Sequence, residues 1–125
     1  MRKVIFGAAA IIATCLAWSG LPARPAPDGR AIVRQTCGTC HTLGKDDKAA
    51  EGPTLYGVVG RTAGTMPGFN YTPAFRKALR GKTWTPQLLD RWLTDSQAVA
   101  PDSGMAFFND SPAQRKAIID YLAKP

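Results

Sequence analysis

Cys37-Gly38-Thr39-Cys40-His41 is the stretch on which the reading of the whole chain turns. Two thiols three positions apart, followed at once by the chain's single histidine, form C-x-x-C-H, the spacing of covalent haem attachment. The reason is geometric. Two thiols so placed can form thioethers with the two vinyl groups on one side of a porphyrin, and the next residue can set its imidazole under the iron. Gly38 and Thr39 are small enough for close approach to the ring. The competing readings fail on their surroundings. A thioredoxin-like site needs a βαβ context, which the pattern here lacks. A structural zinc site wants four ligands; Cys37, Cys40 and His41 offer three, with no other cysteine or histidine beyond residue 23. A disulfide between Cys37 and Cys40 would close a tiny loop, stabilise little and leave His41 unexplained. The expected cofactor is one covalent haem c, with Cys37, Cys40 and His41 as its attachment points and first iron ligand.

Upstream, Asp28 is a good N-cap, and the pattern predicts a helix from about Gly29 to Thr39 with Ala31, Ile32 and Val33 as its apolar content. Before it stands a proline-rich stretch. The chain opens on Arg2 and Lys3 and then runs uncharged from Val4 to Trp18, followed by small residues and prolines from Ser19 to Pro27. That is the layout of a secretory signal peptide, cut after Ala23. A retained membrane anchor is the rival, though the run is short beside the roughly 20 residues a spanning helix needs. The expected organisation is a signal over 1–23, a linker over 24–28 and one domain over 29–125, in the periplasm. Cys15 falls inside the signal, and Thr14 before it makes a poor lipoprotein cleavage site.

With residues 1–23 removed, basic residues fall from 16 to 14 against nine acids, a charge of about +5 in place of +7. Such an excess suits an acidic protein surface. The basic residues are scattered and match no nucleic-acid motif, so no nucleic acid is expected as a partner.

Downstream, residues 42–71 carry glycines at 44, 52, 57, 60, 64 and 68 and no sustained period. An irregular loop of this length is foreign to a compact domain unless it wraps a bulky group that replaces the missing core. Then Thr72-Pro73, Thr85-Pro86 and Ser111-Pro112 each pair an N-cap residue with proline at the first helical position. The first begins a short helix to about Leu79. The second carries Leu88, Leu89, Trp92 and Leu93 on one face, the third Ala117, Ile118, Tyr121 and Leu122. Residues 97–110 between them read as an irregular loop containing Met105. The class is all-α: about four short helices with long loops around one haem. A core this thin in a domain of this size calls for a cofactor as a staple.

An iron with His41 on one side needs a second ligand or an open face. His41 is the only histidine, so a second histidine from the same chain is excluded. Methionine is the partner that raises the potential, and Met66 and Met105 are the candidates beyond the signal. Each could equally be core filler. Met105 has the better setting, in a loop between two amphipathic helices. Met66, in Gly-Thr-Met-Pro-Gly, could form a ligand loop on local grounds alone.

From Gly29 onward the chain resembles class I, mitochondrial-type cytochrome c. The resemblance rests on CGTCH (37–41), GPTLYGVVGR (52–61), PGFNYT (67–72), GKTW (81–84), PDSGMAF (101–107) and IIDYL (118–122), in that order. It implies the small all-α fold of that class and the role of a one-electron carrier rather than an enzyme. It implies that Met105 is the axial methionine and that the Pro53 carbonyl accepts the His41 ring N–H. It further implies that Arg61, Tyr71 and Trp84 surround a haem propionate, and that Gly29 and Val33 pack on Ile118 and Tyr121. Two departures stand out. Trp92 occupies a position where the family often has a tyrosine near the methionine, with an indole N–H to donate in its place. Residues 94–112 contain no lysine but include Asp95, Asp102 and Asp110, so the family's basic docking ring is incomplete. The expected partners are a redox donor and acceptor (an oxidase, a reductase complex or a dehydrogenase), with weak membrane association beside them. A dedicated dehydrogenase subunit, and a haem peroxidase or small-gas binder, are the alternative functions.

Overall fold

In the computed structural model, which describes residues 24–124, every α-helix starts at a capping side chain. Asp28 accepts from the N–H groups of Arg30 and Ala31 and opens α1 (Gly29–Ile32). Thr72 caps α2 (Pro73–Leu79), Thr85 caps α3 (Pro86–Thr94) and Ser111 caps α5 (Pro112–Leu122), each with proline in the first turn. These side-chain oxygens satisfy amides that have no partner inside the helix, at about 1 kcal/mol each. Residues 1–23, the expected signal with Cys15, lie outside the described residues. The linker, 24–28, carries no regular structure.

Two elements depart from the sequence reading. The expected helix to Thr39 is α-helical only as far as Ile32 and continues as a π-helical turn, Val33–Cys37. The wider turn closes with the Gly38 N–H donating to the Val33 carbonyl at 2.9 Å. Gly38 permits this closure, because a Cβ there would stand 2.6 Å from the Arg34 carbonyl oxygen. The stretch taken as irregular from 97 to 110 begins inside a short helix, α4 (Ser96–Val99), which Asp95 caps through Gln97 and Ala98. Among the described residues there is no strand, only the isolated bridges Thr62–Thr83 and Asp95–Phe108.

The core forms where α1 crosses α5, and where α3 packs on α4 and α5. Gly29 sits against the backbone of Ala117, with Tyr121 Cβ 3.2 Å from where a Cβ would stand. No larger residue could occupy that crossing without moving a helix. Val33 and Ile118 are wholly buried beside it. On α3 the expected face, Leu88, Leu89, Trp92 and Leu93, is buried throughout. Arg115 of α5 is also buried. Its Nε donates to Asp90 Oδ1 at 2.8 Å and its Nη1 to the Asn109 carbonyl at 2.9 Å, so the charge is paired where it is desolvated.

The glycine-rich loop is tied to the segment before α3. Gly60 N–H donates to the Trp84 carbonyl, Trp84 N–H to the Arg61 carbonyl and Ala63 N–H to the Lys82 carbonyl, all within 2.9 Å. Gly60 takes φ +87, a conformation that costs residues with a Cβ about 1–2 kcal/mol. These ties bring Arg61 and Trp84 together on the side of the domain where Tyr71 enters α2.

Candidate functional site

The attachment segment grows out of the π-helical turn. Cys37 ends it, and the amides of Cys40 and His41 both turn back to the Cys37 carbonyl, at 3.1 and 2.9 Å. Both cysteines are free thiols. Cys37 is half-buried, and burial pushes its thiol up from the ordinary value, while Cys40 is exposed.

His41 is fixed from behind. Its Nδ1 lies 2.7 Å from the carbonyl oxygen of Pro53. A carbonyl can only accept, so Nδ1 carries the proton, and in the neutral imidazole the lone pair is then on Nε2. Gly52 lets the ring sit this close: a Cβ at 52 would fall 2.5 Å from His41 Nδ1. The Gly52 N–H donates to the Cys40 carbonyl at 2.8 Å. Buried Thr54 donates from its hydroxyl towards the Thr42 and Gly44 carbonyls and accepts from the Tyr56 N–H, which closes the loop around the histidine. His41 also borders an open cavity of about 560 Å³ that Arg30, Arg34, Leu43 and Tyr121 line with it.

Arg61 is partly buried. Its Nη2 donates to the Thr54 carbonyl at 2.8 Å and its Nη1 to the Tyr56 carbonyl at 3.2 Å. Burial pulls its guanidinium down from the usual value, and Tyr71 partly offsets that. The same Nη1 approaches Met66 Sδ at 3.6 Å, so the Met66 thioether lies against a cation. Tyr71, Trp84 and Trp92 are drawn into one aromatic cluster by Phe75. Tyr71 stacks on Phe75 at 4.8 Å between ring centroids, Trp92 meets its edge at 5.9 Å, and the two tryptophans lie 5.4 Å apart.

Met105 stands half-buried against the hydrophobic core. Its carbonyl accepts from Ser96 Oγ at 2.8 Å and from Gln97 Nε2 at 2.6 Å. The sequence reading did not single out Phe75, Gly52, Thr54, Ser96 or Gln97. Of these, Gly52 and Thr54, which flank Pro53 in the family-like GPTLYGVVGR block, had a signal in the sequence.

The residues present fit a covalently attached haem. The two thiols are unpaired and lie at the end of one turn, and the adjacent imidazole has its outer nitrogen committed and its inner one free to ligate. Among the described residues no three His, Cys, Asp or Glu side chains are grouped closely enough to hold a bare metal ion. Fold and site together define a small all-α domain built around one covalent haem, a c-type cytochrome.

Comparison with known proteins agrees. Residues 24–122 match the family model described as cytochrome c oxidase, cbb3-type, subunit III. The chain is 36% identical over 118 residues to cytochrome c2 of Rhodomicrobium vannielii, which covers 91% of each chain. It is 34% identical to cytochrome c2 of Blastochloris viridis over 98% of this chain and 92% of the other. It is 33% identical to cytochrome c-550 of Novispirillum itersonii over 74% and 92%. The chain belongs to the cytochrome c family. It carries a single haem c attached through the C-x-x-C-H motif, and it works as a monohaem electron carrier that exchanges electrons with redox partners.

Proposed function

We propose that His41 and Met105 are the two axial ligands, and that the chain is a periplasmic carrier, not an enzyme, moving single electrons between larger redox proteins. The observation that carries this reading is the different fate of the two methionines. Met66 has its sulfur against the Arg61 guanidinium, whereas Met105 has its carbonyl anchored and its sulfur with no protein donor among the described residues. The haem, when bound, supplies an iron that takes up and releases one electron. The chain's own residues do the rest. Cys37 and Cys40 hold the ring. Pro53 orients His41 through the Nδ1 proton and increases the basicity of Nε2. Arg61, Tyr71 and Trp84 form the polar and aromatic surround of a propionate, as the family resemblance implies. The aromatic cluster, with Trp92 in it, keeps that side dry, which with the thioether tunes the potential.

With His41 and Met105 both holding the iron, no substrate would need to touch it, and the haem would supply outer-sphere transfer. The partner surface on this reading is acidic, because Arg34, Lys45, Lys48 and Lys82 are all exposed. The family description names an oxidase subunit and the relatives are cytochromes c2, which supports an oxidase or a reductase complex as partner. The bacterial sources of the cytochrome c2 and c-550 relatives, and the expected signal, support the periplasm. No helix among the described residues is long and apolar enough to cross a membrane.

The test is a pair of substitutions. Met105→Ala should abolish the absorption band of the thioether–iron bond and lower the potential, since the thioether favours ferrous iron. Met66→Ala should keep the band and leave the potential nearly unchanged. The opposite pattern would overturn the ligand assignment while leaving haem attachment intact.

A further inference from the structure

Ser96 is wholly buried, and its hydroxyl has one proton to give. The Met105 carbonyl at 2.8 Å is the nearer acceptor; the Phe107 carbonyl at 3.3 Å is already met by the Ser96 N–H at 3.0 Å. The same hydroxyl accepts from the Phe107 N–H at 2.9 Å. Ser96 therefore clasps the backbone on both sides of Ala106. Gln97, the next residue of α4, adds a second clasp. Its Nε2 donates to the Met105 carbonyl at 2.6 Å, with Ser103 Oγ at 3.4 Å, and its Oε1 accepts from the Asp102 N–H at 3.0 Å.

The loop being held does not hold itself. Asp102 takes φ +59, the only residue other than glycine with a positive φ among the described residues, and Gly104 takes φ +86. Left-handed backbone at a residue with a Cβ costs about 1–2 kcal/mol. The Gln97 bond to the Asp102 amide offsets that cost at the very residue that bears it. The turn thus delivers Met105 because α4 grips it from one side.

We propose that Ser96 and Gln97 are positioning residues for the iron ligand: together they hold the Met105 carbonyl so that its thioether stays on the iron. This rests on the assignment of Met105 as sixth ligand. Neither side chain touches the haem on this account; both act through the Met105 backbone.

Imidazole competing with the thioether in the ferric holoprotein reads the hold directly, through loss of the thioether–iron band. Gln97→Glu keeps shape and the acceptor for Asp102 but replaces the donor to the Met105 carbonyl with an oxygen. Ser96→Ala removes the other donor and leaves the Phe107 amide unsatisfied. Each should lower the imidazole midpoint about tenfold, as expected for loss of a buried hydrogen bond. Amide exchange at Phe107 should speed up in parallel for Ser96→Ala. Ile119→Val, a core change on α5, should lower thermal stability but leave the midpoint within about twofold of wild type. If Ser96→Ala fails to accumulate as holoprotein, Gln97→Glu decides alone. Unchanged midpoints in these variants, with Met105→Ala lacking the band, would overturn the proposal and spare the ligand assignment. A band that survives Met105→Ala would overturn both.

Discussion

Residues 37–61 and residues 94–109 each offer one candidate axial ligand, and they hold it by different physics. In the first region both thiols and the histidine fall within five consecutive residues, and the ring is set by close packing on Gly52 and a hydrogen bond to Pro53. In the second, the methionine's carbonyl is gripped by Ser96 and Gln97, nine and eight residues away in sequence, in a turn with two left-handed residues. The first is a covalent anchorage with little freedom left. The second is a set of separable hydrogen bonds, and each can be weakened without losing the haem. On the proposed ligand assignment, the ligand that must never leave is encoded locally, and the one that would set the potential is encoded through tertiary contacts.

The severest way to break the first region is to remove a thiol. Cys37→Ser or Cys40→Ser should reduce holoprotein to a small fraction of wild type, while Cys15→Ser should not affect haem loading. In acidified organic solvent the wild-type haem should stay on the polypeptide. Haem passing into the organic layer would mean that the attachment is not covalent.

A finer test contrasts two glycines. At Gly52 there is no room: a Cβ would fall 2.5 Å from His41 Nδ1. At Gly104 the contact is tight but not closed, with Thr72 Cγ2 3.3 Å from a Cβ, and the backbone is unfavourable, φ +86. Gly52→Ala should cost the holoprotein about 2–3 kcal/mol in denaturant unfolding, as overpacking beside a rigid ring does. Gly104→Ala should cost about 1–2 kcal/mol, the penalty for the left-handed conformation. Equal costs, or the reverse order, would remove the distinction between a packed ligand and a strung one.

The sequence was a better guide to the first region than to the second. C-x-x-C-H is a local code, and so are the caps Asp28, Thr72, Thr85 and Ser111, which begin four helices at the expected positions. The π-helical turn over Val33–Cys37 was not legible, because it depends on where the Gly38 amide finds its carbonyl, not on any residue preference. Nor was α4. Four residues are far below the length at which a helix stands by its own propensity, so it exists through packing on α3 and its Asp95 cap. Ser96 reads as a loop residue until tertiary structure buries it. Phe75, one aromatic among many in the sequence, becomes the hub of the cluster only once Tyr71, Trp84 and Trp92 surround it.

The smallest expected effect probes the charge difference between the two regions. Lys45 and Lys48 follow the attachment motif and are exposed, with Asp46, Asp47 and Glu51 exposed beside them; Arg34 and Lys82 are exposed too, whereas residues 94–112 hold no lysine or arginine and carry Asp95, Asp102 and Asp110. An acidic partner is therefore drawn to the attachment side and gains nothing from the methionine loop. The screening length shortens from about 30 Å at 0.01 M salt to about 10 Å at 0.1 M, so attraction over an approach path is lost across that range. The bimolecular transfer rate to an acidic redox partner should fall about three- to tenfold over it, the low end of electrostatic steering because only one side contributes. Lys45→Gln with Lys48→Gln should flatten the dependence, and Asp102→Asn should steepen it slightly by removing an opposing charge beside Met105. If the lysine variants keep the wild-type slope while Asp102→Asn changes it, docking occurs over the methionine loop, and the two regions have exchanged roles. A rate independent of salt in the wild type would remove electrostatic docking from both.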